Sequence, residues 1–462
     1  MGPAARAVLA VLLLLPACSS PRDDRFSVFL VVVDTLRADH VGAYGHSLPT
    51  TPRLDALAAE GLVFERAYSH SSWTLPAFGS LFTGLYPSEH GALRVQGEWK
   101  RSEEKQPSFG VLRADAPTLA ELYGAAGFRT GAFVNNMFLR PDFGLARGFE
   151  RYDWVNAGNS RHRSAGDTVD AALAWLDQGR GAAFAVVHLF EPHTQYAPPP
   201  STRHSFTAGL ETAVQVPFAP RDTLLAMIEG DRVPTPAEQD HIRRLYDEEV
   251  LAADQAIGRW LDGLAARGLR ERSWIFVTSD HGEEFWEHGS FEHGHSLHGE
   301  LIRVPLIAVG PGLEPARIRT PVQHADLHHT LAALAGTAAQ RGEHGRDLLD
   351  LARRERLGET PPGRAILSEE TLHGTRQAAL SSERFRLVAD LERGGARLWR
   401  LDQEGQETEE VAAGDPDDRL RPRMLAALLT MRGSILPDAG YRAKADLSPE
   451  EVEELRALGY VR

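Results

Sequence analysis

The chain has 462 residues, of which 42% are hydrophobic and 25% are charged, a composition that is ordinary for a globular enzyme. Length alone suggests about three domains, although large α/β folds often exceed that expectation. The net charge is −14, and no basic tract offsets it. A nucleic-acid partner is therefore not expected.

The N-terminal residues have the composition of a targeting segment. The hydrophobic run at 8–15 is too short to span a bilayer as a stable helix, and the next residues, Leu15–Cys18 (LPAC), resemble a bacterial lipoprotein cleavage site. Because the only cysteine falls where lipidation needs it, we expect 1–18 to be a lipoprotein signal peptide with its lipobox and 19–25 to be a tether. Lipidated Cys18 would anchor an exported protein to a membrane, on the periplasmic or cell-surface side. An ordinary secretory signal with an incidental cysteine is the alternative.

Two hydrophobic runs, far apart in the chain, each end in a carboxylate. Phe29–Val33 is followed by Asp34, and Ile275–Ser279 is followed by Asp280 and His281. Short runs of this kind predict buried parallel strands. Since ligands of open α/β sheets lie beyond the carboxyl ends of the strands, the three polar side chains are expected to converge there. Two carboxylates and an imidazole so placed predict a divalent-cation site.

The segment 71–84, between these runs, carries the signals of a helix start. Thr74 is predicted to be the N-cap, and Pro76 lies in the first turn, where its missing N–H costs little. A hydroxyl at a helix N-terminus meets unpaired N–H groups and the positive end of the helix dipole, which suits an anionic ester. Threonine is a weak nucleophile unless a metal lowers its pKa. An ordinary capping threonine is the alternative interpretation.

Alternating short apolar runs and helical segments predict an α/β fold. Helices are predicted over residues 51–60, 118–126, 167–177 and 235–268. The last of these begins at a capping box, Thr235–Glu238, and its apolar stripe is expected to pack on the sheet. The segment 198–232 lacks periodicity and is expected to be a surface excursion near the site.

The ordered set of motifs resembles the sulfatase family, within the alkaline phosphatase superfamily. The matching segments are 34–40 (DTLRADH), 51–55 (TPRLD), the Thr74 segment, 279–283 (SDHGE) and 302–307 (IRVPLI). The match runs from about Phe26 to the C-terminus. It implies a large mixed sheet flanked by helices, followed by a small C-terminal antiparallel sheet subdomain, and a metal-dependent ester hydrolase.

This resemblance sets the expected domain boundaries. Residues 26–340 would form the sulfatase-like catalytic domain, and 341–462 the C-terminal subdomain with a terminal helix. Within the latter, 384–390 and 397–402 predict two short strands around a Gly394-Gly395 turn. A capped helix is predicted over 448–460.

The nucleophile position departs from the usual sulfatase pattern. Sulfatases carry Cys or Ser, oxidised to formylglycine, in a C/S-x-P-x-R motif, whereas the matching positions here are Thr74, Pro76 and Phe78. Threonine cannot form the aldehyde hydrate, so no formylglycine is expected, and Phe78 replaces the arginine of the motif. The resemblance therefore favours the branches with threonine at this position, such as lipoteichoic acid synthases, phosphoethanolamine transferases and nucleotide pyrophosphatases. It implies a phosphothreonine intermediate and a phosphate ester or phosphodiester substrate.

Two histidines match the same branches. Residues 184–190 predict a core strand that runs into 191–196 (EPHTQY), which is similar to the D/E-P-H block of the family. His293 lies in the loop that follows the second carboxylate. The resemblance implies that His193 and His293 hold the phosphate or a second metal, and such a pair can also protonate a leaving group.

Other polar residues near the predicted strands are less distinctive. Arg37 and Asn136 each follow a presumed strand and are candidate substrate contacts, although Arg37 could equally pair with a surface carboxylate. His288, His295 and His298 are interpreted as solvated loop residues.

We expect Asp34, Asp280, His281 and Thr74 to bind the cation. Zn²⁺ or Mn²⁺ is favoured because imidazoles join the carboxylates, while Ca²⁺ and Mg²⁺ stay open as ions for oxygen-rich sites. The substrate is expected to be an anionic ester on a lipid, glycan or wall polymer. Two other functions stay open: hydrolysis of a sulfate ester without formylglycine, and glycan binding by a lipoprotein with a decayed catalytic site.

Overall fold

A computed structural model describes residues 25–95, 108–155, 163–214, 226–227, 230–337, 344–359, 361–435 and 444–445. The predicted signal peptide with Cys18, the tether up to residue 24 and the predicted helix at 448–460 lie outside this part of the chain. The lipid anchor and the cellular location therefore stay predictions. No described helix combines the length and the apolar character that a bilayer crossing requires.

The strands are numbered in chain order. They are β1 Ser27–Val33, β2 Leu62–Phe64, β3 Ala67–Tyr68, β4 Phe109–Gly110, β5 Arg129–Val134, β6 Arg151–Trp154, β7 Ala183–Leu189, β8 Ser273–Ser279, β9 Glu284–Phe285, β10 Phe291–Glu292, β11 Arg303–Val304, β12 Leu306–Val309, β13 Ala316–Ile318, β14 Val322–Gln323, β15 Ile366–Glu369, β16 Gln377–Ser381, β17 Phe385–Asp390, β18 Ala396–Leu401, β19 Glu407–Glu410 and β20 Lys444–Ala445.

The α-helices are numbered in the same way. They are α1 Pro52–Ala59, α2 Thr74–Thr83, α3 Pro87–His90, α4 Leu119–Ala125, α5 Ala165–Asp177, α6 Pro236–Ala266, α7 Gly299–Ile302, α8 His324–Leu334, α9 Leu348–Arg356 and α10 Leu420–Ile435. Single 3-10 turns lie at Ala38–His40, Gly42–Tyr44, Met137–Leu139, Pro141–Phe143 and Arg270–Arg272.

Eight strands form the central sheet, in the order β13-β2-β12-β8-β1-β7-β5-β6. β1 pairs in parallel with both β7 and β8, and β5 and β6 continue the parallel part. β12 joins β8 in the antiparallel direction. The predicted mixed sheet is therefore confirmed, and the two strands that precede the predicted cation ligands are direct neighbours.

Helices cover both faces of this sheet. Alternate residues of β1 enter different clusters: Val28, Leu30 and Val32 lie with α2, whereas Phe29, Val31 and Val33 lie with α6. A strand buried on both faces has no polar positions, which is why β1 reads as a continuous hydrophobic run.

The predicted helices form close to their expected bounds. The Thr235 side chain caps α6 and accepts a hydrogen bond from Glu238 N. In return, Thr235 N donates a hydrogen bond to the Glu238 side chain. The helix predicted over 167–177 begins two residues earlier, because the Ser164 side chain caps it.

A smaller antiparallel sheet, β15-β16-β17-β18-β19, follows the central sheet in sequence. Its β17–β18 hairpin confirms the predicted strands, and Gly394 and Gly395 both have positive φ (78° and 95°), as this turn requires. Helix α10 packs on this sheet and was not predicted. Its signal is weak because Leu428 and Ile435 are its buried residues.

Candidate metal centre and active site

The two predicted carboxylates meet at the carboxyl edge of the central sheet. Val33 of β1 pairs with Ser279 of β8, so Asp34 and Asp280 follow side by side, and both are fully buried. His281 Nε2 lies 3.7 Å from Asp34 Oδ1 and 3.4 Å from Asp280 Oδ2. The structure therefore brings the three predicted side chains together.

The turn after each strand is specialised. Thr35 has φ of 55°, a conformation that is unfavourable for a β-branched residue and that often marks a functional site. The turn lets Thr35 N donate to Asp280 Oδ1 at 3.3 Å. In the other turn, a Cβ at Gly282 would lie 1.9 Å from the Glu300 carbonyl oxygen, so only glycine allows that close approach.

The contacts of His281 fix which of its nitrogens faces the carboxylates. His281 Nδ1 lies 2.9 Å from the Gly282 carbonyl oxygen. A carbonyl can only accept, so Nδ1 carries the hydrogen and Nε2 presents a lone pair. That lone pair and the two carboxylate oxygens face one another at distances too long for hydrogen bonds.

This arrangement fits a divalent cation. Asp34 Oδ1 and Asp280 Oδ2 are buried and have no hydrogen-bond partner within the described part of the chain. Together with His281 they form a group of three potential ligands. Three electron-rich atoms that face one another in a buried site need a positive charge between them.

The electrostatics of the ion-free pair agree with this interpretation. Burial opposes ionisation of Asp34, but contacts with His188 and neighbouring imidazoles hold its pKa below the ordinary value. Burial, and then the charge of Asp34, raise the pKa of Asp280 to about 6. One carboxylate thus hinders ionisation of the other, and a bound cation would relieve that conflict.

Thr74 is the first residue of α2, and Trp73 occupies the N-cap position without a side-chain cap. The prediction that Thr74 is the N-cap is therefore wrong by one residue. The difference matters because the Thr74 hydroxyl does not bond its own helix. Thr74 Oγ1 lies 3.4 Å from His281 Nε2, so the hydroxyl belongs to the carboxylate–imidazole cluster.

Asn136 joins Thr74 to the carboxylates. Its Nδ2 donates to Asp34 Oδ2 at 2.7 Å and to Thr74 Oγ1 at 3.2 Å. Its Oδ1 accepts from Phe138 N at 2.8 Å, which fixes the orientation of the amide. The candidate substrate residue Asn136 is thus placed inside the site, where it orients Thr74.

His188 was not predicted as a site residue. It lies opposite Val32 in the β1–β7 register, and therefore on the same face as Asp34, with His188 Nε2 3.2 Å from Asp34 Oδ2. The ring of Phe78, which replaces the motif arginine, packs edge-on at 5.4 Å. A histidine inside an otherwise apolar strand was the available sequence signal.

His193 and His293 lie beside the cluster, as expected from their positions after strands. The ring centroid of His293 is 4.5 Å from that of His281 and 5.0 Å from that of His193. Burial lowers the pKa of His193 to about 4, so this ring is neutral near pH 7. The three imidazoles thus form one contiguous row of ring contacts.

Arg37, a candidate substrate contact, forms two ion pairs. Arg37 pairs with Asp39 at 2.7 Å and with Glu287 at 2.8 Å, which is the carboxylate pairing considered as its alternative. Its role in substrate binding stays a prediction.

The interpretation of the three loop histidines as solvated residues is wrong. Each contacts a carboxylate: His288 with Glu300 at 2.6 Å, His295 with Glu284 at 2.7 Å and His298 with Glu407 at 2.8 Å. The loop is packed against the C-terminal sheet through His298 and Glu407, and no pattern in the sequence indicates that proximity.

Fold and site together define an ester hydrolase with a candidate metal centre. Residues 27–337 match the sulfatase family, and the chain belongs to this family. The family is generally metal-dependent, in agreement with the cluster of Asp34, Asp280 and His281.

The proteins that the chain resembles include sulfatases and a phosphonate monoester hydrolase. The chain is 26% identical to the uncharacterized sulfatase YidJ of Escherichia coli K12 over 355 residues, which cover 67% of this chain and 68% of that protein. It is 23% identical to the Delta 4,5-hexuronate-2-O-sulfatase of Bacteroides thetaiotaomicron over 482 residues, with 96% and 94% covered. The phosphonate monoester hydrolase of Agrobacterium radiobacter has a similar structure, with a TM-score of 0.71, 20% identity, and 92% and 100% covered.

Proposed function

We propose that this protein is a metal-dependent hydrolase or transferase of phosphate esters and phosphodiesters that works through a covalent Thr74 intermediate. One observation carries the proposal: Thr74 Oγ1 lies 3.4 Å from His281 Nε2 and shares the Asn136 amide with Asp34. A threonine occupies the place where sulfatases carry the precursor of formylglycine.

Asp34, Asp280, His281 and Thr74 would hold the cation, and their mixed carboxylate and imidazole ligands favour Zn²⁺ or Mn²⁺. A bound divalent cation supplies positive charge that lowers the pKa of a hydroxyl and offsets negative charge on a substrate. Asn136 keeps the Thr74 oxygen in place through its amide hydrogen.

In the first step, Thr74 Oγ1 forms a bond to phosphorus while the bond from phosphorus to the leaving oxygen breaks. The N–H groups in the first turn of α2 can donate to the transferring oxygens. His193 and His293 lie beside the transferring group; Nε2 of His293 takes the hydroxyl proton of Thr74 and returns it to the leaving oxygen. The hydroxyl proton of Thr74 is thereby balanced by the protonated leaving group.

In the second step, water or another acceptor hydroxyl attacks the phosphothreonine. The bond from phosphorus to Thr74 Oγ1 breaks, and the threonine regains a proton from the attacking molecule. Hydrolysis and transfer differ in the acceptor alone.

A sulfate ester is the second candidate substrate, because the names of several relatives are those of sulfatases. Thr74 lacks the second hydroxyl of a formylglycine hydrate, so a sulfated threonine has no easy elimination route. The structural similarity to a phosphonate monoester hydrolase is compatible with a phosphorus substrate, and the preference for phosphorus over sulfur rests on Thr74.

The test uses Thr74→Ala and Thr74→Ser with aryl phosphodiester, phosphomonoester, phosphonate and sulfate substrates. We expect Thr74→Ala to lower kcat/KM for the phosphodiester by at least about 10³-fold and Thr74→Ser to retain part of the activity. Mass spectrometry of acid-quenched enzyme should find phosphate on the peptide that contains residue 74.

A matched control is Thr83→Ala, at the other end of the same helix, which should leave activity unchanged. Turnover of aryl sulfates without phosphodiester turnover would contradict the substrate class. Full activity of Thr74→Ala would contradict the nucleophile.

A further inference from the structure

A third buried carboxylate lies behind the site histidines. Glu283 follows His281 by two residues and is fully buried. Its Oε1 lies 2.9 Å from His293 Nδ1. Its Oε2 accepts from Tyr196 OH at 3.1 Å and from Thr194 Oγ1 at 3.2 Å.

The same carboxylate supports the second histidine through Thr194. The Thr194 hydroxyl donates to Glu283, and the Thr194 carbonyl oxygen lies 2.6 Å from His193 Nδ1. Glu283 thus contacts one ring directly and the residue that holds the other ring.

The backbone of Glu283 is also fixed. Glu283 N donates to the Glu300 carbonyl oxygen at 3.1 Å, and the Glu283 carbonyl oxygen accepts from Arg37 Nη1 at 2.9 Å. With both oxygens and both backbone groups engaged, the side chain has one orientation, and the position of the His293 ring follows from it.

Burial raises the pKa of the Glu283 carboxyl to about 7, and above that pH the ionised group accepts hydrogen bonds and donates none. Its contact with His293 Nδ1 therefore places the hydrogen on that nitrogen, and the opposite nitrogen, Nε2, lies on the other edge of the ring. Carboxylates that contact functional histidines in this way fix both tautomer and ring orientation.

We propose that Glu283 is a positioning residue that fixes the Nδ1–H tautomer of His293, so that His293 Nε2 meets the transferring group. The inference rests on the proposed function for the identity of that group. The tautomer itself is a property of the protein without substrate, so it is tested separately.

The first measurement is ¹⁵N NMR of protein labelled at histidine, at a pH above the raised Glu283 pKa of about 7, as purified and after loading with Zn²⁺. The His293 signals are assigned by their loss in His293→Asn. We expect wild type to show hydrogen on Nδ1, Glu283→Gln to keep it because the amide oxygen still accepts, and Glu283→Leu to lose it.

The second measurement is steady-state kinetics with the phosphodiester. We expect Glu283→Leu to lower kcat by about 10- to 100-fold with a smaller change in KM, and Glu283→Gln to recover most of the loss. Bound metal per chain should stay at the wild-type level in both variants.

The matched control is Glu284→Gln, since the neighbouring Glu284 contacts His295 instead. It should change the His295 signal and leave the His293 signal in place. An unchanged His293 tautomer in Glu283→Leu would overturn the proposal, and so would a lower melting temperature with unchanged kcat. Absence of phosphodiester turnover in wild type would refute the proposed function alone, because the NMR result does not depend on it.

Discussion

Single side chains at the carboxyl edge of the sheet hold several groups at once. The Asn136 amide donates hydrogen bonds to both Asp34 and Thr74, and His188 makes a second contact with Asp34. Because each carboxylate is buried, its ionised form has a large desolvation cost, and every such contact offsets part of that cost. The site therefore depends on individual atoms more than on overall packing.

Removal of one candidate cation ligand is a direct test at this scale. Asp280→Asn keeps the size of the side chain but removes the charge that a divalent ion needs. We expect its affinity for the metal to fall by more than about tenfold, measured as metal per chain after dialysis against a weak chelator. Asp350→Asn, on exposed helix α9, is the control and should keep the wild-type content. Equal metal contents in Asp280→Asn and wild type would exclude Asp280 as a ligand.

At the scale of elements, helix α6 shows how local signals and packing combine. Its start is set by the reciprocal bonds of Thr235 and Glu238. Its buried stripe, which includes Ile242, Leu245 and Trp260, packs on the face of the sheet behind the site. Tyr246 of the same helix donates to the Thr35 carbonyl oxygen at 2.8 Å. The helix thus supports the strained turn beside Asp34.

The capping interaction gives a prediction about stability alone. Thr235→Ala removes the bond to Glu238 N and should lower the free energy of unfolding by about 1 kcal/mol, measured by urea denaturation. Thr235→Ser keeps a capping hydroxyl and should be close to wild type. Since the cap is exposed and precedes Tyr246 by about 16 Å along the helix axis, kcat should not change. A loss of activity at equal stability would contradict this assignment.

At the scale of the whole molecule, a cluster of histidines and carboxylates joins the loop that carries His293 to the C-terminal sheet. His288 Nδ1 contacts Glu300 at 2.6 Å, and His288 Nε2 lies 3.2 Å from Glu407 of β19. His298 stacks on His288 with ring centroids 3.7 Å apart. Arg386 of β17 completes the contacts of Glu407 at 2.7 Å. The loop that carries His293 is therefore held by the second sheet.

This cluster predicts a particular dependence of stability on pH. Burial alone would lower the pKa of His288, but the hydrogen bonds to Glu300 and Glu407 raise it from 6.5 to about 10. A group whose pKa is higher in the folded state than in the unfolded state stabilises the fold. This contribution is complete at a pH below the unfolded-state pKa and is lost as the pH rises through the folded-state pKa. The contribution of His288 should thus be complete below about pH 6.5 and lost toward pH 10.

The measurement is the melting temperature of wild type and of His288→Gln from about pH 6 to about pH 10. This range includes the unfolded-state and folded-state pKa values of His288. We expect the difference between the two proteins to be largest at the acidic end and to shrink as pH rises. His204→Asn, at an exposed position, should follow wild type throughout. A difference that grows with pH would show that His288 is not protonated in the folded protein.

The sequence by itself determined the parts that depend on local order along the chain. The apolar runs before Asp34 and Asp280 predicted two strands, and the motif around Thr74 predicted a helix start. The parallel arrangement of strands then placed these residues at one edge, because carboxyl ends of parallel strands share an edge.

Only the tertiary structure decided the contacts between segments that have no pattern in common. The partners of Asn136, His188 and Glu283 depend on which strands and loops become neighbours, and the His288 cluster depends on how two sheets meet. Hydrophobic periodicity specifies which face of an element is buried, but it does not specify which polar atom will lie opposite another. For that physical reason the convergence of Asp34, Asp280 and His281 was predictable, whereas the residues that hold and orient them were not.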